Sequence, residues 1–275
     1  MNAEPTFLQR MAQASRDRVR DARARLSEAA LRQRIDALPL PPPLTLDRFD
    51  VIAELKLRSP VAGGLATPDF DRSEQLAAYA AGGAAAVSVL TEPVEFKGEL
   101  AHLADAAVVL AAQNRPVMRK DFITDPYQVL EARAAGAGGV LVIVTMLDDA
   151  TVRELVDCAL DCSMFVLLEG FDGVDLERIA AFDEPRGAPL ILAGVNCRDL
   201  RDLNVRFERF AELAPYLPRH LPAVAESGIA TVDDIRTVAQ LGYRLALIGS
   251  SLMTAAAPSA ALGEFIAAGR TAVDA

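Results

Sequence analysis

Histidine is almost missing from this chain of 275 residues: His102 and His220 are the only two, a scarcity that argues against histidine triads and most zinc enzymes. Cysteine is nearly as rare. Cys158, Cys162 and Cys197 make an odd number with no CxxC pair, so neither a disulfide framework nor a zinc knuckle is indicated. Cys158 and Cys162 stand four apart on an expected helix and read as small buried hydrophobes rather than ligands. No apolar run approaches the ~20 residues of a membrane span, and Met1 to Thr6 leads into a charged stretch instead of an apolar signal core. The expectation is a cytoplasmic protein that does not engage a membrane. No GxGxxG fingerprint opens a dinucleotide-binding unit, so the expected cofactors are none and the expected metal is none. Positive charge is in deficit: the net charge is -10 and the pI is near 4.8. No general attraction to nucleic acid follows from such a balance. An anionic substrate would need a local site.

What the chain does have is apolar residues in two periods. With 52% hydrophobic and 24% charged residues it can bury a large core. From Phe7 to about Leu38, Leu8, Met11, Val19, Ala22 and Leu26 recur at helical spacing, which predicts one or two amphipathic helices. Pro39 to Pro43 end them. Short β-branched runs then alternate with longer Ala-rich segments. The runs are Val51–Leu55, Ala85–Val89, Pro116–Met118, Gly139–Val144, Met164–Leu168, Leu190–Val195, Ala223–Ala225 and Arg244–Ile248. Eight strand-then-helix units fit a closed parallel (β/α)8 TIM barrel better than an open sheet. The expected organisation is an N-terminal helical extension over residues 1–46, packed on a barrel of residues 47–275, as one structural domain.

In such a barrel the chemistry sits at the carboxyl ends of the strands. The residues ending these runs are Glu54 and Lys56, Lys120, Glu169, Asn196 with Arg198, Glu226 with Ser227, and Gly249 with Ser250. Strand alternation puts Glu54 and Lys56 on one face, opposite Ala53 and Leu55. That pair is either reactive or a structural ion pair, and the segment alone fits both. Lys120 follows the period of Met118 and could serve as a general acid or an anion ligand, although three consecutive charges also suit a solvated loop. Glu169 shares a face with Phe165 and Leu167, so it is either capped by a neighbour or tuned for proton transfer. Ser227-Gly228 and Gly249-Ser250 close the last two strands, where barrel phosphate sites recur. Backbone N–H groups there can cradle a phosphate without net positive charge. Ordinary βα turns would also use Gly and Ser.

Several longer motifs now come together: Ile52-Ala-Glu-Leu-Lys with Arg58-Ser-Pro60, Ser88-Val-Leu-Thr-Glu92, Arg119-Lys-Asp-Phe-Ile123 with Asp125-Pro-Tyr127, Gly194-Val-Asn-Cys-Arg-Asp-Leu200, Glu226-Ser-Gly-Ile229 and Leu247-Ile-Gly-Ser-Ser-Leu-Met253. On these the chain resembles the indole-3-glycerol-phosphate synthase family over nearly its whole length. The resemblance implies ring closure of 1-(2-carboxyphenylamino)-1-deoxyribulose 5-phosphate with loss of carbon dioxide and water, in tryptophan biosynthesis. It implies Lys120 as general acid, Glu54 as the group that holds and aims that lysine, and Glu169 as general base for the dehydration. It places Lys56 against the anionic groups of the substrate, with the division of the acid role between Lys56 and Lys120 left open. Asn196, Arg198 and Glu226 match polar residues around the reacting atoms, with Asn196 in the catalytic set. Ser59 matches a substrate-binding residue, Ser227, Gly228, Gly249 and Ser250 match the phosphate cradle, and Phe96 and Phe122 match apolar walls for the aromatic ring. The chain departs from the family pattern at Val61-Ala62, at Glu95-Phe-Lys-Gly98, and at Gly170-Phe171-Asp172 after Glu169.

Two rivals stay open on sequence alone. A related phosphate-binding isomerase would keep the Ser-Gly and Gly-Ser turns but should use a carboxylate and cysteine or two aspartates. A non-catalytic paralogue in a tryptophan-pathway complex should have lost a catalytic lysine or glutamate. The one partner expected is a small phosphorylated substrate. The oligomeric state is open, with a monomer slightly favoured.

Overall fold

The protein is described by a computed structural model over residues 5–59, 63–64, 70–183, 190–198 and 204–273. The side chain of Ser59, the departures at Val61 and Ala62, and Asp199 and Leu200 lie outside the described residues.

Two helices come first, α1 (Phe7–Arg25) and α2 (Glu28–Asp36). Strand β1 (Asp50–Leu55) is followed by a two-residue antiparallel pair, β2 (Arg58–Ser59) and β3 (Gly63–Gly64). The chain then runs α3 (Arg72–Ala81), β4 (Ala86–Leu90), α4 (Leu100–Ala111), β5 (Val117–Lys120), α5 (Pro126–Ala134), β6 (Gly139–Ile143) and α6 (Asp149–Asp161). It continues through β7 (Phe165–Gly170), α7 (Gly173–Ile179), β8 (Ile191–Asn196), α8 (Arg209–Leu213), β9 (Ala223–Glu226), α9 (Val232–Gln240), β10 (Leu245–Ile248), the short α10 (Ser250–Met253) and α11 (Pro258–Val273). The eight strands β1 and β4 to β10 close in parallel, with β1 pairing both β4 and β10.

All eight expected runs are strands, but β5 and β7 extend further than their apolar residues do. Arg119 and Lys120 belong to β5, and Glu169 and Gly170 to β7. The ladder is made of backbone groups, so a charged side chain does not end it.

Period-two alternation sorts the strand residues into two shells. Val51, Ala53, Leu55, Val87 and Val89 face outward into the helix-covered core. Ile52, Ala86, Met118, Leu141, Leu167, Leu192, Val224, Leu245 and Leu247 fill the barrel interior. Gly139 has no side chain because the Phe165 ring occupies that space. One step further along the same inward faces come Glu54, Ser88, Lys120, Glu169, Gly194, Glu226 and Gly249. Burial therefore changes from apolar to charged within one layer.

The N-terminal segment closes both ends. Leu44 joins the interior cluster, and the Pro42 carbonyl lies beside Gly138, just before β6. At the other end α1 packs Phe7, Leu8 and Met11 against Phe122, Met146 and Phe171, which follow the strands. Thr6 starts α1 with a reciprocal capping box to Gln9, satisfying donors that a helix leaves free at its first turn. The helix is fastened to α5 through buried polar contacts: Gln128 Nε2 donates to Ser15 Oγ at 3.0 Å, and Tyr127 Oη donates to the Leu26 carbonyl at 2.8 Å. Among the described residues no helix is long and apolar enough to cross a membrane.

Candidate active site

Register brings the inward polar residues to one level. Glu54 is opposite Ser88 on β4, Glu169 opposite Gly194 on β8, and Asn196 opposite Glu226 on β9. Side chains that are far apart in sequence thus form one charged layer, with Glu54, Glu169 and Glu226 almost wholly buried.

Two ion-pair groups make up this layer. Lys56 Nζ lies 2.8 Å from Glu54 Oε1. Lys120 Nζ lies 3.0 Å from Glu169 Oε2 and 3.0 Å from Glu226 Oε2. This corrects one expectation, because Glu54 pairs with Lys56 and is not the hydrogen-bond partner that aims Lys120. In the ring β9 lies opposite β5, while β1 and β7 both stand two strands away from it, so strand distance does not separate Glu54 from Glu169. Glu54 is instead satisfied by the lysine two residues along its own chain. Glu54 still acts on Lys120 through its field.

The electrostatics follow from burial against charge. Burial opposes the Lys120 ammonium, but the carboxylates of Glu169, Glu226 and Glu54 outweigh it and raise the pKa above the ordinary lysine value. Burial also opposes the Glu54 carboxylate, yet Lys56, Lys120 and Arg198 hold its pKa below the usual range. Glu226 goes the other way. Burial and the neighbouring Glu169 prevail over the attraction of Lys120 and push its pKa up to about 8. Two carboxylates on one ammonium cannot both stay charged cheaply in a buried site, so Glu226 retains a proton at neutral pH. Its Oε1 accepts no hydrogen bond from the described residues.

Glycines make the room. A Cβ on Gly194 would overlap Glu226 Oε1, and one on Gly249 would lie 2.5 Å from Glu54 Oε1 and 3.0 Å from Lys56 Nζ. Beside this layer is a cleft of about 410 Å³, including its open mouth, lined by Lys56, Lys120, Arg198 and the turns that end β9 and β10. In the first turn Ser227 and Gly228 both have left-handed backbones, with φ of 68° and 73°. In the second, Gly249 precedes α10, whose first N–H groups have no acceptor within the helix. Asn196 Oδ1 accepts the Arg198 N–H at 3.0 Å and so shapes the turn after β8. Phe96 and Phe122 are adjacent, their ring centroids 6.3 Å apart, and Phe7 meets Phe122 edge-on at 5.8 Å.

The sequence reading thus placed Glu54, Lys56, Lys120, Arg198, Glu226, Ser227, Gly228, Gly249 and Ser250 around what is one cleft, with Glu169 reaching it through Lys120. Gly194, Thr91, Glu92 and Asp121 stand within the motifs of the resemblance but carried no expected role, and Arg18 was not among the expected residues. Glu92 and Asp121 are the buried carboxylates behind the aromatic pair, and a charge flanking a strand end inside an apolar context was the available signal. Among the described residues no three His, Cys, Asp or Glu side chains gather as a metal site.

A family model described as indole-3-glycerol phosphate synthase matches residues 8–265. An indole-3-glycerol phosphate synthase from a Nocardioides species is 46% identical over 212 residues, covering 77% of this chain and 78% of the relative. One from a Parafrankia species is 42% identical over 247 residues, covering 88% of each. The crystal structure of 3-hexulose-6-phosphate synthase from Salmonella typhimurium superposes with a TM-score of 0.58 at 13% identity, covering 82% of this chain and 98% of that one, a likeness of fold alone. With the family model spanning the barrel and both relatives matched over more than three quarters of their length, the chain belongs to the indole-3-glycerol phosphate synthase family.

Proposed function

We propose that the charged layer of Glu54, Lys56, Lys120, Glu169 and Glu226 carries out this family's carboxy-lyase reaction, the step of tryptophan biosynthesis that forms indole-3-glycerol phosphate. The observation that carries the reading is Lys120, an ammonium hydrogen-bonded to both Glu169 and Glu226 at the mouth of a closed barrel, beside a cleft edged by Ser-Gly and Gly-Ser turns.

The substrate is 1-(2-carboxyphenylamino)-1-deoxyribulose 5-phosphate. Its phosphate lies against the backbone of Ser227, Gly228, Gly249 and Ser250, with Lys56 and Arg198 supplying local positive charge to an acidic protein. Its aromatic ring meets Phe96 and Phe122. The ring carbon that bears the carboxylate attacks the ketone carbon, and Lys120 gives a proton to the ketone oxygen as that carbon–carbon bond forms. Carbon dioxide then leaves with its bonding pair returned to the ring, restoring aromaticity. Lys120, having lost its charge, no longer holds Glu169 as an ion-pair partner. The freed carboxylate takes a proton from the methylene beside nitrogen, the hydroxyl leaves as water with the proton that Glu226 holds, and the indole double bond forms. Glu169 then returns its proton to Lys120, and Glu226 regains one from solvent. Before substrate enters, the layer is neutral as two groups: Glu54 with Lys56, and Glu169 with Lys120 beside a protonated Glu226. A charge-balanced layer is the inexpensive way to keep lysines in a buried site. We place the enzyme in the cytoplasm.

Lys120→Arg keeps the positive charge, but a guanidinium is a far poorer proton donor and a bulkier group. A positioned general acid contributes on the order of 10²- to 10⁴-fold, so kcat should fall by that amount with a modest change in KM. Glu169→Gln should likewise lower kcat while substrate still binds. Near-normal turnover in Lys120→Arg would move the acid role to Lys56. Collapse of binding together with a lower Tm in Glu169→Gln would make Glu169 a structural ion-pair member.

A further inference from the structure

Outside the reactive layer a second buried charge cluster lies between α1 and the loops that follow β4 and β5. Glu92, 1% exposed, accepts the backbone N–H groups of Val94 at 3.0 Å, Glu95 at 2.7 Å and Phe96 at 3.2 Å. It therefore shapes the loop that carries Phe96. Asp121, 4% exposed, accepts the Phe122 N–H at 2.8 Å, the Thr91 hydroxyl at 2.8 Å and Arg119 Nη2 at 3.0 Å. It shapes the loop that carries Phe122. Arg18 of α1 reaches both carboxylates: Nη2 is 2.6 Å from Asp121 Oδ1 and Nη1 is 3.7 Å from Glu92 Oε1.

Two buried carboxylates this close repel each other unless a cation lies between them. The planar fork of an arginine can address two carboxylates at once, which a lysine cannot do with the same geometry. Phe7, on the same helix, leans edge-on against Phe122, so α1 touches the aromatic pair directly and through the charges behind it.

We propose that Arg18 is a positioning residue for the substrate's aromatic ring, clasping the loops after β4 and β5 so that Phe96 and Phe122 stand at the spacing the ring requires. This rests on the reading that these two rings receive the carboxyphenyl group. Arg18 touches neither the reacting atoms nor the phosphate turns. Its loss should therefore weaken the hold on the aromatic part and leave the phosphate part alone.

The test uses the full chain with Arg18→Ala and Arg18→Lys, measuring KM and kcat for the substrate, Ki for the product indole-3-glycerol phosphate, and Ki for inorganic phosphate. Misplacing a positioning element by about 1 Å can cost up to 10²-fold. The expected result is a rise in KM and in product Ki on the order of 10-fold in both variants, with kcat changed by less than about 3-fold and phosphate Ki unchanged. Arg18→Lys keeps a charge at the site and so keeps the question answerable if Arg18→Ala does not fold. Phe96→Ala and the double variant with Arg18→Lys complete a cycle: KM effects that are less than additive show that Arg18 acts through the aromatic wall. An unchanged KM in the Arg18 variants, with Phe96→Ala raising it, overturns the inference alone. An unchanged KM in Phe96→Ala overturns the wall reading itself. A lower Tm with phosphate Ki rising in parallel makes Arg18 a purely structural tie and also overturns the inference.

Discussion

Lys120 and Glu226 show how the charged layer divides its protons. Lys120 is held charged by Glu169 and by the field of Glu54, while Glu226, at the same hydrogen-bonding distance as Glu169, keeps its proton up to a pKa of about 8. A carboxyl whose folded pKa is raised binds more protons folded than unfolded between its ordinary value of 4.5 and about 8. Its contribution to stability is therefore complete below the unfolded pKa and is lost as pH rises through about 8. Urea midpoints between pH 5 and 9 should fall with rising pH in the wild type, and Glu226→Gln should flatten that fall. A Glu226→Gln profile parallel to the wild type would assign the pH dependence to other groups. At this scale strand period alone identified which side chains point inward, because alternation needs only the local sequence. Which carboxylate meets which lysine was not legible. That depends on how far each side chain reaches across a closed barrel, where β1 and β7 stand equally far from β5, and Glu54, expected on Lys120, is found on Lys56.

Among the elements, β8 and the turn after β10 hold the layer open by what they lack. Gly194 reads in sequence as an ordinary residue of an apolar run, yet an added Cβ there meets the Glu226 carboxylate. Gly194→Ala should displace Glu226 from Lys120, lower kcat by roughly 10-fold or more, and cost about 1–3 kcal/mol of stability by overpacking. Equal kcat in that variant would show that Glu226 can move without consequence. Gly249 was read only as part of a phosphate cradle, but its empty Cβ position adjoins Glu54 and Lys56, so a substitution there perturbs two functions at once. Helix α1 was legible as amphipathic from Leu8, Met11 and Val19. Its docking site was not, because an apolar stripe states that a face is buried without naming what covers it. The polar part of that docking is measurable: Ser15→Ala leaves the buried Gln128 amide short of a partner, which should cost about 1–3 kcal/mol in unfolding free energy. A cost below about 0.5 kcal/mol would mean that water or Thr124 replaces Ser15.

For the molecule as a whole, the repeat of strand and helix made the barrel readable, since eight units leave few other ways to pair parallel strands. The closure of both barrel ends by residues 5–44 was not readable, because Leu44 and Pro42 act at the amino ends of strands far along the chain. This acidic protein brings three cations, Lys56, Lys120 and Arg198, to one cleft, where the proposed substrate carries its anionic groups. In the proposed reaction these side chains alone supply the positive charge that a divalent ion supplies in many phosphate-handling sites. The most direct measurement is turnover of 1-(2-carboxyphenylamino)-1-deoxyribulose 5-phosphate by the full chain after exhaustive chelation, following indole fluorescence and released carbon dioxide together. The expected result is undiminished turnover with one carbon dioxide per indole formed. No turnover, or turnover restored only by adding a divalent ion, would contradict the assignment of the reaction to these lysines and carboxylates.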